Sequence, residues 1–270
     1  MKEQKLAEKL KELHRILRAL GRVLVAYSGG VDSALLLSVA CEELGDDAIA
    51  VTARSPLHGA DELAQACELA RTLKVKHIVV DTEELSVAEI RDNPPDRCYH
   101  CKKRRFQRML ELAAELGMPY VCDGSNVDDA GQHRPGLQAC HELGIQSPLA
   151  AAGLTKNEIR ELSRQAGLPT WNKPAMTCLA TRFPYHAALT ADGLRRVEQA
   201  EAFIWGLGVR QLRVRVDGAT ARIEVAPDEF SCITDHAEAI DRHLATCGFQ
   251  QVVLDLKGYR FGSRDEPEAD

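Results

Sequence analysis

The chain has no uninterrupted apolar run of the roughly 18 residues that a membrane-spanning helix requires. Its first residues, MKEQKLAEKLKELHRIL, are charged and helix-periodic, without the apolar centre of a signal peptide. These absences predict a cytoplasmic, untargeted protein with no membrane partner. A basic excess is missing too: 34 Lys and Arg against 40 Asp and Glu leave a net charge of −6. Without that electrostatic footprint, or a recognisable RNA-binding module, no nucleic-acid partner is expected. No internal repeat or low-complexity tract occurs. The nine cysteines are odd in number, in a chain of 270 residues with no secretion signal, so reduced thiols are expected in place of a disulfide framework.

What is present is an ordinary globular composition, 45% apolar and 27% charged, which excludes disordered and fibrous classes. Up to about Pro148, short apolar runs alternate with amphipathic helices: strands at 22–27, 48–53, 77–82 and 120–124, helices at 2–19, 33–44, 60–73 and 102–116. That alternation predicts an α/β, Rossmann-like parallel sheet with its ligand at the carboxyl ends of the strands. Thr155 with Glu158 marks the capping-box start of a helix at 155–166. An aperiodic stretch from Leu168 to Tyr185, rich in Pro, Trp, Cys and Arg, follows and reads as a functional loop. From Thr190 the pattern changes to a helix at 191–206, two alternating strands about Asp217-Gly218, a helix at 228–246 and a last strand QVVLDL. The expected division is a phosphate-loop domain over 1–185, a small α+β domain over 186–260 and a mobile tail over 261–270.

Between the first strand and its helix lies AYSGGVDS, placing Ser28, Gly29, Gly30, Asp32 and Ser33 on a tight turn. It is shorter than a Walker loop and has no lysine. Adjacent glycines let the backbone approach a phosphate, and the following helix adds its positive end. Asp32 is out of place beside an anion unless a divalent cation lies between, so ATP with Mg²⁺ bridging Asp32 and phosphate oxygens is inferred.

Three cysteines stand apart from the rest. Cys41, Cys67, Cys122, Cys140, Cys232 and Cys247 fall in apolar or helical patterns and read as small core residues or inert thiols. Cys98 and Cys101, in RCYHCKKRRF, and Cys178, in KPAMTCLATRFPY, do not. Three thiolates leave an open coordination position, as a reactive iron–sulfur cluster needs. A zinc site completed by His100 and a thioredoxin-like redox pair remain alternatives. Cys178 is flanked in sequence by Lys173 and Arg182, cations able to favour its thiolate. The basic run Lys102, Lys103, Arg104, Arg105 and Arg108 is either a solvated helix face or a patch neutralising the phosphates of a small substrate.

SGGVDS resembles the PP-loop of the ATP pyrophosphatases. DGSNVDD (Asp123 to Asp129), HRPGL (His133 to Leu137), WNKPAMTCLATRFPY and LDLKGYRFG (Leu254 to Gly262) resemble the ATP-dependent sulfur transferase family LarE, over residues 15–262. The resemblance implies adenylylation of a carboxylate of pyridinium-3,5-biscarboxylic acid mononucleotide and its conversion to a thiocarboxylate. This chemistry serves the nickel-pincer nucleotide of lactate racemase. It implies ATP binding by Ser28, Gly29, Gly30, Asp32, Ser33, Asp123 and Gly124, with Asp32 and Cys178 catalytic. Substrate phosphate is expected on Thr181, Arg182, Arg213 and Arg215, with Glu201 and Glu224 at acidic family positions. Because Cys98 and Cys101 accompany Cys178, the resemblance is to members whose three cysteines hold a [4Fe-4S] cluster carrying an extra sulfide. Sacrifice of the Cys178 sulfur is the alternative, and tRNA thiolation or a degenerate nucleotide or metal carrier are rival readings. A homo-oligomer and a separate sulfide donor are the remaining expectations.

Overall fold

The computed structural model describes residues 2–129, 135–174 and 177–260. His133 and Arg134 of the HRPGL motif, Ala175 and Met176, and the expected mobile tail over 261–270 lie outside the described residues. In chain order the helices are α1 (Lys2–Leu20), α2 (Val31–Leu44), α3 (Ala60–Thr72), α4 (Ala88–Arg91), α5 (Arg97–Glu115), α6 (Pro135–Glu142), α7 (Pro148–Ala151), α8 (Lys156–Gln165), α9 (Ala191–Gly206), α10 (Phe230–Asp235) and α11 (Ala237–Thr246). The strands are β1 (Val23–Ala26), β2 (Ala48–Arg54), β3 (Lys76–Asp81), β4 (Tyr120–Cys122), β5 (Leu212–Asp217), β6 (Thr220–Val225) and β7 (Gln251–Leu254). Two compact units result, one from 1–84 with 96–176, the other from 85–95 with 177–270.

The first unit is a parallel sheet in the order β3-β2-β1-β4, the Rossmann-like architecture expected of its alternating pattern. Strands buried on both faces must be apolar at every position, which is why VLVA and AIAV read as continuous runs. On β1, Val23 and Val25 enter one core with Leu13 and Leu17 of α1 and Leu35 of α2. Leu24 enters the other, with Phe106 and Met109 of α5. Each fully buried leucine of that set contributes about 1.5–3 kcal/mol. Helix α8 opens on the capping box, Thr155 accepting from the Glu158 N–H and Glu158 from the Thr155 N–H.

Two helices depart from their sequence pattern. Helix α5 begins at Arg97, not near 102, so the CxxC lies in its first turn. Pro94 and Pro95 end the preceding loop, and nothing after Asp96 obstructs helix formation. The single helix expected over 228–246 is instead a short turn over 227–229 followed by α10 and α11, broken at His236, whose Nδ1 lies 2.8 Å from the Cys232 carbonyl oxygen. No helix among the described residues is long and apolar enough to cross a membrane.

The second unit packs α9 and α11 on the sheet β5-β6-β7, with β5 antiparallel and β7 parallel to β6. The hairpin turns where expected, with Gly218 at φ +57°, a left-handed conformation that favours glycine. At its centre the Arg182 guanidinium is clamped by Glu201 through two bonds of 2.9 Å, both side chains only 1% exposed. Glu201 Oε1 also accepts from the Val214 N–H at 2.8 Å, so the pair fastens α9 to β5. Glu201→Ala would strand a buried cation and should cost about 3–5 kcal/mol of stability, read as a lower urea midpoint for the second unit's unfolding.

Candidate active site

In the first unit, Ser28, Gly30, Asp32, Ser33, Asp123 and Gly124 line one cavity of about 580 Å³ at the carboxyl ends of the strands. That volume suits a nucleotide-sized ligand. The turn is self-braced: the Ser28 N–H donates to Ser33 Oγ at 3.2 Å, and that hydroxyl donates to the Gly30 carbonyl at 3.2 Å. Gly29 has φ +72°, and a Cβ there would meet Ala66 of α3 at 3.0 Å, so only glycine fits. Gly124 is tight in the same way, since a Cβ would lie 3.0 Å from the Ser33 nitrogen. The loop after β4 therefore presses its backbone against the phosphate loop.

The two aspartates differ. Asp123 is buried and saturated, its Oδ1 accepting from Ser147 Oγ at 2.7 Å and the Ser125 N–H at 3.1 Å, its Oδ2 from Ser125 Oγ at 2.5 Å. It shapes the cavity wall. Asp32 projects from the first turn of α2 and is paired with the Lys156 ammonium at the start of α8, while Asn126 Nδ2 lies 3.3 Å from its Oδ1. Lys156 escaped the sequence reading because LTKNEIR looks like nothing more than a capped helix start. Only the fold carries it to Asp32.

The basic run on α5 divides between the cavity wall and the outer face of the helix. Lys102 and Arg105, three residues apart on one helical face, line the cavity. Arg105 is anchored there by the fully buried Glu84, Nε to Oε1 2.5 Å. Lys103 turns outward to Tyr99 and Glu142, and Arg108 to Glu111. His58 forms another part of the wall, its Nε2 buried and without a partner among the described residues. Burial, aided by the Arg105 guanidinium, pushes His58 down from 6.5 to about 3. Between those pH values the unfolded chain takes up a proton that the native state refuses, so stability falls as pH drops through that window. His58→Phe should flatten this decline in a plot of melting temperature against pH.

The CxxC pair stands on one face of the first turn of α5, Cys98 exposed and Cys101 buried. Arg97 Nη2 lies 3.7 Å from the Cys98 sulfur. His100 Nε2 lies 3.2 Å from Asp96 Oδ2. Two thiols a turn apart, with a cation beside one, suit two ligand positions of a thiolate-held cluster; the third cysteine, Cys178, belongs to the other unit. Among the described residues no three His, Cys, Asp or Glu side chains form a group for a metal ion. Lys173 donates to the Gly29 carbonyl at 3.2 Å and to Gln65 Oε1 at 2.9 Å.

In the second unit the structure brings Thr181, Arg182, Arg213 and Arg215 together. Arg182 Nη1 donates to Thr181 Oγ1 at 2.9 Å, and Arg215 Nη1 to the Thr181 carbonyl at 2.7 Å. Arg215 also pairs with Glu224 at 3.0 Å, directly across the hairpin from Arg213. Arg213 is buried over the Tyr259 ring, and burial, with Arg182 and Arg215 close by, lowers its pKa. The Cys178 carbonyl accepts from the Thr181 hydroxyl at 2.9 Å and from Arg182 Nη1 at 3.2 Å, which fixes the backbone carrying the thiol.

The asparagine synthase family model matches residues 5–108, the part of the chain that holds the phosphate loop. A pyridinium-3,5-bisthiocarboxylic acid mononucleotide synthase of Lactiplantibacillus plantarum is 37% identical over 97% of this chain and 95% of its own length. An uncharacterised protein of Synechocystis is 41% identical over 95% of this chain and 97% of its own. A tRNA-specific 2-thiouridylase of Xanthobacter autotrophicus is 29% identical but covers only 57% of this chain and 49% of its own length. The near full-length likeness, with the phosphate loop built as the geometry requires, places the chain in the LarE family of ATP-dependent sulfur transferases, among the PP-loop ATP pyrophosphatases.

Proposed function

We propose that this chain adenylylates a carboxylate of pyridinium-3,5-biscarboxylic acid mononucleotide and converts it to a thiocarboxylate, a step in making a nickel-pincer nucleotide. The observation that carries this reading is the first-unit cavity, where a glycine turn, Asp32 and Lys156 meet. A carboxylate is a poor acyl donor until its oxygen joins a good leaving group. Its oxygen attacks the α-phosphorus, and the α–β bridging bond breaks with its electron pair leaving on pyrophosphate. A sulfide sulfur then attacks the acyl carbon, and AMP departs with the electrons of the broken C–O bond.

The loop N–H groups of Ser28 to Ser33 and the positive end of α2 would hold the phosphates. Asp32 would hold Mg²⁺, which supplies charge neutralisation between carboxylate and phosphate oxygens. Thr181, Arg182, Arg213 and Arg215 would take the mononucleotide phosphate, with Arg182 already paired to Glu201 and Arg215 to Glu224. Cys98, Cys101 and Cys178 would hold a [4Fe-4S] cluster, which supplies an open iron position for an additional sulfide. A homo-oligomeric assembly and a separate sulfide donor complete the proposal.

Pyrophosphate release on mixing the protein with Mg²⁺, ATP and the mononucleotide tests the first half-reaction. Asp32→Asn should lower it at least 100-fold, about 2.7 kcal/mol of transition-state stabilisation. Cys178→Ala should abolish thiocarboxylate formation while adenylylation continues, as followed by mass spectrometry of substrate and product; unchanged transfer would refute the role of Cys178. Anaerobic turnover that adds sulfur to the substrate without removing the mass of H₂S from the Cys178 peptide supports the cluster, whereas its loss means sacrifice. Retention of tRNA in place of turnover would move the chain to the thiouridylase reading.

A further inference from the structure

The phosphate loop has no lysine of its own, yet a triphosphate held there must share space with the Asp32 carboxylate. Three lysines reach this region from beyond the loop. Lys102 lies 3.8 Å from the Asp123 carboxylate. Lys156 is committed to Asp32. Among the described residues, Lys173 is bonded only to neutral oxygens, the Gly29 carbonyl and Gln65 Oε1. An ammonium has three protons, so one is left for the cavity whose wall Lys173 helps to form. It is half buried, and burial lowers its pKa, with Glu62 acting weakly the other way. A partly desolvated cation bonded to neutral acceptors is costly to maintain, and an incoming polyanion would relieve that cost.

Its backbone is held in place. Arg160 on α8 donates from Nη1 to the Trp171 carbonyl at 2.8 Å and from Nη2 to the Lys173 carbonyl at 2.9 Å. Arg160 lies one turn beyond Lys156, so a single helix carries the partner of Asp32 and the clasp on Lys173. The acceptor is also fixed, because Gly29 is wedged against Ala66 in its left-handed conformation.

We propose that Lys173 is the counter-ion of the pyrophosphate portion of ATP, contacting it through Nζ in the bound nucleotide and in the departing pyrophosphate, and that Arg160 positions it. This rests on the first-unit cavity being the ATP site. As the α–β bridging bond breaks, the electron pair moves onto pyrophosphate, and the fixed ammonium meets that charge without transferring a proton.

Titration calorimetry of the full-length protein with Mg²⁺–pyrophosphate, Mg²⁺–ATP and adenosine tests the assignment, with no pyridinium substrate present. In Lys173→Met, which keeps the aliphatic stem, the dissociation constants for pyrophosphate and ATP should rise at least ten-fold, about 1.4 kcal/mol. Adenosine binding and the ligand-free melting temperature should not fall. Lys173→Arg should recover part of the affinity, and Arg160→Ala should weaken pyrophosphate binding in the wild-type background but add nothing to Lys173→Met. Unchanged pyrophosphate affinity in Lys173→Met overturns the proposal while leaving the ATP reading intact. So does a lowered ligand-free melting temperature with equal weakening of adenosine and pyrophosphate, the mark of a mere structural tie to Gly29. A wild-type protein that binds neither ATP nor pyrophosphate overturns both.

Discussion

The pairing of the Asp32 carboxylate with the Lys156 ammonium is the constraint on which the first unit's cavity depends. It ties the first turn of α2, and with it the phosphate loop, to the first turn of α8. These elements are more than a hundred residues apart in the chain, and no local rule brings them together. A carboxylate facing a phosphate site needs a cation in every state of the site. Lys156 meets that need here, and the proposed Mg²⁺ would add to it beside a bound nucleotide. Because Arg160 lies on the same helix, the register of α8 also determines where the backbone of Lys173 sits.

The second unit handles the same electrostatic problem by different means. Arg182, Arg213 and Arg215 lie close enough to repel one another, and all are largely removed from water. Glu201 and Glu224 make that arrangement tolerable, one by clamping Arg182 with both oxygens, the other by holding Arg215 across the hairpin. Such pairs add little net stability but lose much if one partner is removed. Their effect is to hold the guanidinium groups in fixed positions, as the proposed phosphate site would need. The Cys178 backbone shares in this rigidity, since Arg182 and Thr181 both donate to its carbonyl.

Apolar patterning made the parallel strands legible, because a strand covered on both faces admits few polar residues. The glycine turn was legible because its neighbours, Ala66 behind Gly29 and Ser33 beside Gly124, leave no room for a side chain. Helix α5 was harder to bound. Its first turn, RCYHC, carries no apolar periodicity, since one face is given to Cys98 and Cys101, and the regular stripe that marks a helix starts only at Phe106. The break at His236 was hidden for a related reason: the apolar spacing continues across it, and only side-chain capping of the Cys232 carbonyl reveals it. Residues 85–95, which join the second unit, carry no pattern that assigns them there.

By itself the sequence determined the chemistry available to this protein: a lysine-free glycine turn with an aspartate, three cysteines outside the apolar pattern, and arginines alternating along a strand. Those features depend on residue type and short spacing, which a linear chain displays in full. Tertiary structure alone decided which charges meet. It gave Lys156 to Asp32, Glu201 to Arg182, Glu84 to Arg105, and Lys173 to the carbonyl of Gly29. Ion pairing acts over a few ångströms of space whatever the separation along the chain, so such partners become visible only when the fold has brought them together.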